Sequence, residues 1–171
     1  MMDARLVDPC IAAVEAVFKT MVAADITAGQ PFAVGSSREP SADVSAMVGL
    51  SGDAVGCVVL SLPMDTAIRV AGKFAGVEMT RYHPDLADAL GELANMIAGQ
   101  AKARFEGLQI LVSLPSVIIG KEHSVSHLRQ APRVALPFYS ALGEFWVEAA
   151  MVFEKQPQAI TQTPAAAGAG A

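Results

Sequence analysis

A carboxylate and a carboxamide, Glu92 and Asn95, stand three residues apart in the stretch Asp88-Ala89-Leu90-Gly91-Glu92-Leu93-Ala94-Asn95-Met96-Ile97-Ala98-Gly99. Helical spacing sets such a pair one turn apart on one face. A carboxamide is neither acid nor base near neutral pH, but it donates and accepts hydrogen bonds at once, so Asn95 can orient a water molecule. Glu92 can meet a cation of a partner. At about 100° per residue, Leu86, Leu90, Leu93 and Ile97 gather into an apolar stripe, and Glu92 and Asn95 fall on the far side. Both polar heads are therefore expected to face solvent or a partner. Gly91 and Gly99 each cost the helix about 1 kcal/mol relative to alanine. Both are expected to let a partner come close, Gly99 on the same exposed line as the polar pair. On spacing alone, a Glu and an Asn three apart are most often ordinary solvated surface.

The elements that must hold this helix read as helix, strands, two helices, then strands. From Pro9 to about Ala23, the residues Ile11, Val14, Val17, Phe18, Met21 and Val22 recur at helical spacing, with Asp8 as N-cap and Pro9 at the first helical position. Thr27 to Pro31 and Gly35 to Pro40 hold turn residues around a short extended piece. Val44 to Leu50 and Ala54 to Leu62 form a hairpin across Ser51-Gly52-Asp53, and apolar residues on both faces of its second strand predict a central position. Met64 to Phe74 is a helix ending near Gly76, and the helix of Glu92 runs from Pro84 to about Phe105, stopped by Gly107. Ile110 to Ile119, Ser124 to Leu128, Arg133 to Phe138 and Glu144 to Phe153 read as four closing strands. Pro132 and Pro137, with Arg129 and Arg133 nearby, read as protection of a free edge. The tail Gln156 to Ala171 has no apolar periodicity and is expected to be disordered. This leaves one domain over residues 1–155.

Composition narrows the function. With 171 residues, 53% of them hydrophobic, the chain suits one well-buried core. Its net charge of −5 argues against nucleic acid or an anionic membrane as ligand, since both are bound through basic surface. No apolar run approaches the roughly 18 residues of a membrane span, so the chain is expected to be cytoplasmic, with a protein as partner. Cys10 and Cys57 have no metal-ligand spacing and read as reduced core residues. His123 and His127 have the spacing of a helical metal pair, but a strand would set them about 13 Å apart, so no metal is expected on this chain. Ser113, Ser116 and Ser140 have no recognisable His and acid partners, and Gly120-Lys121 lacks the upstream glycine of a phosphate loop. The methionines and the aromatic Phe138, Tyr139, Phe145 and Trp146 read as core or dimer packing.

A resemblance raises the polar pair above ordinary surface. Leu90 to Gly99, the opening Met2-Asp3-Ala4-Arg5, the hairpin Gly52-Asp53-Ala54-Val55-Gly56 and the strand Ser113-Leu114-Pro115-Ser116-Val117-Ile118-Ile119-Gly120 together resemble the CheX-type members of the CheC, CheX and FliY phosphatase family, over roughly residues 2 to 153. The resemblance implies a CheC-like α+β fold, a mostly antiparallel sheet packed with three helices. It also implies an activity: removal of phosphate from the phosphorylated response regulator CheY or a related receiver domain. Glu92 would then dock a receiver lysine, Asn95 would position the attacking water, and Mg²⁺ would sit on the receiver. CheC-type members carry two Glu-x-x-Asn elements and CheX-type members one. This chain has one, because its first helix offers Glu15-Ala16-Val17-Phe18, with a phenylalanine at the amide position. CheX-type members further imply a homodimer that continues a sheet, here expected through the final strands. The competing reading is a non-catalytic adaptor for a receiver or a flagellar-switch component.

Overall fold

Two neighbouring runs of alternating apolar residues build the centre of the sheet. The computed structural model describes residues 4–35, 40–126 and 131–154. In it, β3 (Ala42–Gly52) and β4 (Ala54–Leu62) form the expected hairpin, with Val44, Ala46, Val48, Val58, Leu60 and Leu62 turned into one core. Residues two apart on a strand share a face, so Cys57 and Val59 point the other way. There they meet Val125 and Ala150 in a second, smaller apolar cluster. The central position expected for β4 follows from this burial on both sides.

The preceding elements are β1 (Ile26–Ala28) and β2 (Phe32–Ala33), and the later ones are β5 (Ile110–Val112), β6 (Ser116–His123), β7 (Arg133–Ser140) and β8 (Gly143–Phe153). Every pairing is antiparallel, in the order β1/β2, β7, β8, β4, β3, β5/β6. Three helices, α1 (Ala4–Val17), α2 (Met64–Ala75) and α3 (Leu86–Lys102), pack on one face, which makes the fold α+β as expected. No helix among the described residues is long and apolar enough to cross a membrane.

Several expectations are corrected. The first helix begins before Pro9, which lies inside it. Leu6 in the added turn is buried, and its burial returns about 2 kcal/mol against the bond that proline forfeits. Beyond Val17 the winding loosens into a π-helical turn, Phe18–Val22. Residues 27 and 28, read as part of a turn, belong to β1, while the short extended piece expected after Pro31 is β2; both lie along β7, so β7 is no free edge. Pro137 sits where that outer strand breaks: its carbonyl accepts the Gly29 N–H at 2.8 Å. In an antiparallel ladder a residue's N–H and C=O point to the same side, so the bond Pro137 cannot donate falls in the gap between β1 and β2.

Arg133 guards no edge either. Its guanidinium pairs with the buried Glu148 at 2.8 Å and bonds the Val125 carbonyl at 2.6 Å. The final strands are interior, because β8 inserts between β7 and β4 and β7 is covered by β1 and β2; the edge strands are β1 and β2 at one end and β5 and β6 at the other. The run 110–119 breaks in two at Ser113, whose N–H bonds the Gly49 carbonyl while its hydroxyl takes the Gly49 N–H. Residues 124–126 form no strand. Met2 and Asp3, the turn residues 36–39, His127, Leu128, Arg129 and the tail from Gln156 lie outside the described residues.

Candidate active site

Helix α3 is gripped on three sides. Leu86, Leu90, Leu93 and Ile97, the predicted stripe, are all fully buried, and Ala94, Ala98 and Ala101 widen the contact. Small residues beside the leucines let α1 and the sheet close in, so the free strip of α3 is narrow. Glu92 is exposed on that strip and Asn95 is half-buried, rather than fully outward as the helical wheel alone suggests. Among the described residues neither side chain has a hydrogen-bond or ionic partner in its own chain. Asn95 thus keeps its donor and acceptor free, and Glu92 its charge.

The two glycines divide. Gly91 is buried against its own chain: a β-carbon there would stand 3.3 Å from Pro115 Cγ and 3.3 Å from Val117 Cγ2. Its absent side chain lets β6 approach the helix, where a partner had been expected. At Gly99 a β-carbon would meet nothing within 4 Å, so that position is open. A cleft of about 400 Å³ on the Gly91 side is lined by Asp88, Glu92, Pro115 and Val117, and its two carboxylates suit a cation.

The phenylalanine at the end of the first helix has a structural role. Phe18, at the position of the missing amide, is fully buried and stacks on Phe145 at 4.5 Å, with Phe138 beyond at 5.3 Å from Phe145. It anchors the end of α1 on the sheet and presents nothing to a partner. Phe138 and Phe145 are core as expected, whereas Tyr139 is exposed.

Other polar groups have structural partners. A contact that no motif announces joins His123 Nε2 to Ser45 Oγ at 2.8 Å, with Ser61 Oγ 3.1 Å further on. The Gly120 carbonyl can only accept, so His123 Nδ1 donates to it at 3.2 Å and Nε2 takes the Ser45 proton. Ser45 is buried and reaches no substrate, so the pair ties β6 to β3. These two residues lie 78 positions apart, beyond the reach of any local pattern. Asp43 accepts the Met64 N–H at 2.9 Å and the Glu122 N–H at 3.1 Å. Those bonds hold its carboxyl below the usual range, with smaller help from the nearby His123 and Arg81 side chains. Burial pushes the Cys10 thiol up to about 12 and the Cys57 thiol to about 11, so both remain protonated and unreactive near neutral pH. Among the described residues no group of three His, Cys, Asp or Glu side chains could hold a metal.

A family model described as chemotaxis phosphatase CheX matches residues 44–139. The chain is 27% identical over 124 residues to the CheY-P phosphatase CheX of Thermotoga maritima, covering 71% of this chain and 79% of that protein. Its fold is similar to the crystal structure of a chemotaxis protein CheX from Desulfovibrio desulfuricans, with a TM-score of 0.79 and 34% identity across 86% of this chain and 99% of that one. It is likewise similar to CheX in the CheX–CheY–BeF3–Mg²⁺ complex from Borrelia burgdorferi, with a TM-score of 0.71 and 24% identity across 85% of this chain and 97% of that one.

Proposed function

Because this chain belongs to the CheX family of chemotaxis phosphatases, we propose that it hydrolyses the aspartyl phosphate of a CheY-like receiver domain, with Asn95 orienting the attacking water and Glu92 docking a receiver lysine. One observation carries the reading: α3 is packed almost throughout, yet it leaves a carboxylate and a carboxamide one turn apart with no partner among the described residues. A polar pair kept free on a packed helix is available to another protein.

An aspartyl phosphate is a mixed anhydride whose hydrolysis joins a water oxygen to phosphorus and breaks the bond from phosphorus to the aspartyl oxygen. The aspartate leaves as a carboxylate, and the water's proton passes to the released phosphate or to solvent. Such a good leaving group needs no strong base, so orientation is what a helper supplies. The Asn95 carbonyl oxygen accepts a hydrogen bond from the water while its NH2 donates to a phosphoryl oxygen. Mg²⁺ held by the receiver neutralises the phosphoryl charge. The name of the Thermotoga protein and the presence of CheY and Mg²⁺ in the Borrelia complex support this assignment.

The proposal extends to a homodimer. The final strands are interior, so the sheet would instead continue from an edge; β6, at eight residues, is the longest edge strand, and its Ile118 and Ile119 are both more than two-fifths exposed. Light scattering should then give twice the 17.8 kDa of one chain, and a single-chain mass would refute the pairing. The function itself is tested by mixing the purified chain with phosphorylated CheY and Mg²⁺ and following phosphate release. Acceleration over CheY alone is expected; none would leave a non-catalytic adaptor.

A further inference from the structure

Beside the candidate site, the seam between α1 and α3 holds an open groove of about 450 Å³, walled by Ala16, Thr20 and Met21 on one side and by Met96 and Gly99 on the other. Met21 is 42% exposed although Phe18 and Val22 in the same turn are buried. The backbone carrying it winds as a π-helix, a distortion that recurs at functional surfaces. Thr20 spends its hydroxyl on the Ala16 carbonyl at 2.7 Å, so that wall makes no unmet polar demand. At Gly99 the subunit has room for a side chain and carries none, although nearly any residue would strengthen the helix.

Resting on the proposed role of Asn95, we propose that this groove receives an apolar side chain of the receiver domain, one flanking its phosphorylated aspartate, and so selects the receiver and sets how deeply Asn95 enters. A phosphoryl group within reach of Asn95 brings the receiver's surface to within one helical turn, about 6 Å, of Gly99. A specific protein contact covers roughly 800 Å² on each partner, far more than Glu92 and Asn95 offer, so the footprint must run onto adjoining surface. The cleft on the Gly91 side carries Asp88 and Glu92 and suits a cation. The groove on the Gly99 side has no charged residue in its lining, and of its polar residues Thr20 bonds the Ala16 carbonyl and Gln100 Oε1 accepts from Arg104, so it suits an apolar group. Its two methionines are flexible and polarisable enough to close around an inserted side chain.

The test titrates the full chain against CheY loaded with beryllofluoride and Mg²⁺, reading affinity rather than turnover. Gly99→Leu fills the groove from a position with free space and should weaken binding about tenfold without lowering Tm. Met21→Ala should weaken it about fivefold, and Met21→Leu should restore it to within about twofold of the parent chain. Binding by Gly99→Leu within about twofold of the parent chain would overturn the proposal. The two readings fail separately. If Gly99→Leu loses affinity while Asn95→Ala keeps turnover, the groove stands and the water-positioning role falls. If Gly99→Leu binds normally while Asn95→Ala loses turnover, the groove falls and the water-positioning role stands.

Discussion

Replacing Asn95 with alanine separates a working group from a structural one. The Asn95 side chain has no partner among the described residues of its own subunit, so its removal breaks no internal hydrogen bond. Alanine is the better helix former by roughly 0.5 kcal/mol. The variant should therefore be slightly more stable, with Tm higher by about 1–2 °C for a chain of this size. Turnover should move the other way. Loss of one positioned hydrogen-bonding group at a reacting centre costs about 2.7–4 kcal/mol, or a factor of about 10²–10³ in kcat. Because the amide's single contact to the phosphoryl group is a small part of a protein–protein footprint, KM for phosphorylated CheY should stay near the parent value. The assay is steady-state phosphate release with CheY kept phosphorylated by a small-molecule donor, paired with a thermal melt. A variant that retains more than about a tenth of the parent kcat refutes the reasoning. A clear fall in Tm would make Asn95 a structural residue and any loss of turnover secondary.

Two further substitutions probe different links. Glu92→Gln keeps shape and removes charge, so KM should rise about tenfold, or about 1.4 kcal/mol, with kcat much less affected and the salt dependence of KM flattened; a fall in kcat at constant KM would transfer Glu92 to the chemistry. Asp43→Ala removes two backbone hydrogen bonds that join α2 and β6 to β3, which should cost about 1–2 kcal/mol and lower Tm by several degrees. The Asp43 carboxyl titrates below its ordinary value of 3.8 when folded. Its contribution is thus full above that value and disappears as pH falls through the lower, folded one. Acid unfolding curves of parent and Asp43→Ala should therefore converge below that pH; a constant gap would contradict the linkage.

Phe18 shows why the first helix presents no polar pair of its own. The aromatic ring at the amide position of the first helix is buried against Phe145, so the surface that α1 could have offered became a fastening to the sheet. The neighbouring π-helical turn then leaves Met21 outward in the groove that Met96 and Gly99 also line. One helix thus supplies the polar pair, and the other supplies a wall.

The residues by themselves determined what repeats locally. Leucines every three or four positions defined the buried side of α3 and hence the side of Glu92 and Asn95, and alternating apolar residues defined the β3–β4 hairpin. These patterns are legible because helix and strand impose periods of about 3.6 and 2 on any chain that must bury one face. Only the tertiary structure decided the rest. A three-residue strand such as β1 is too short to show a period, and the short extended piece that becomes β2 does not reveal its partner; both pair because β7 has an edge to offer. The interior position of β8 depends on how hairpins nest, the turning of Gly91 toward Pro115 on how closely β6 crosses α3, and the half-burial of Asn95 on how neighbouring elements close around α3. Each outcome is a choice of neighbour between residues far apart in sequence, and a local pattern carries no energy difference that could make that choice.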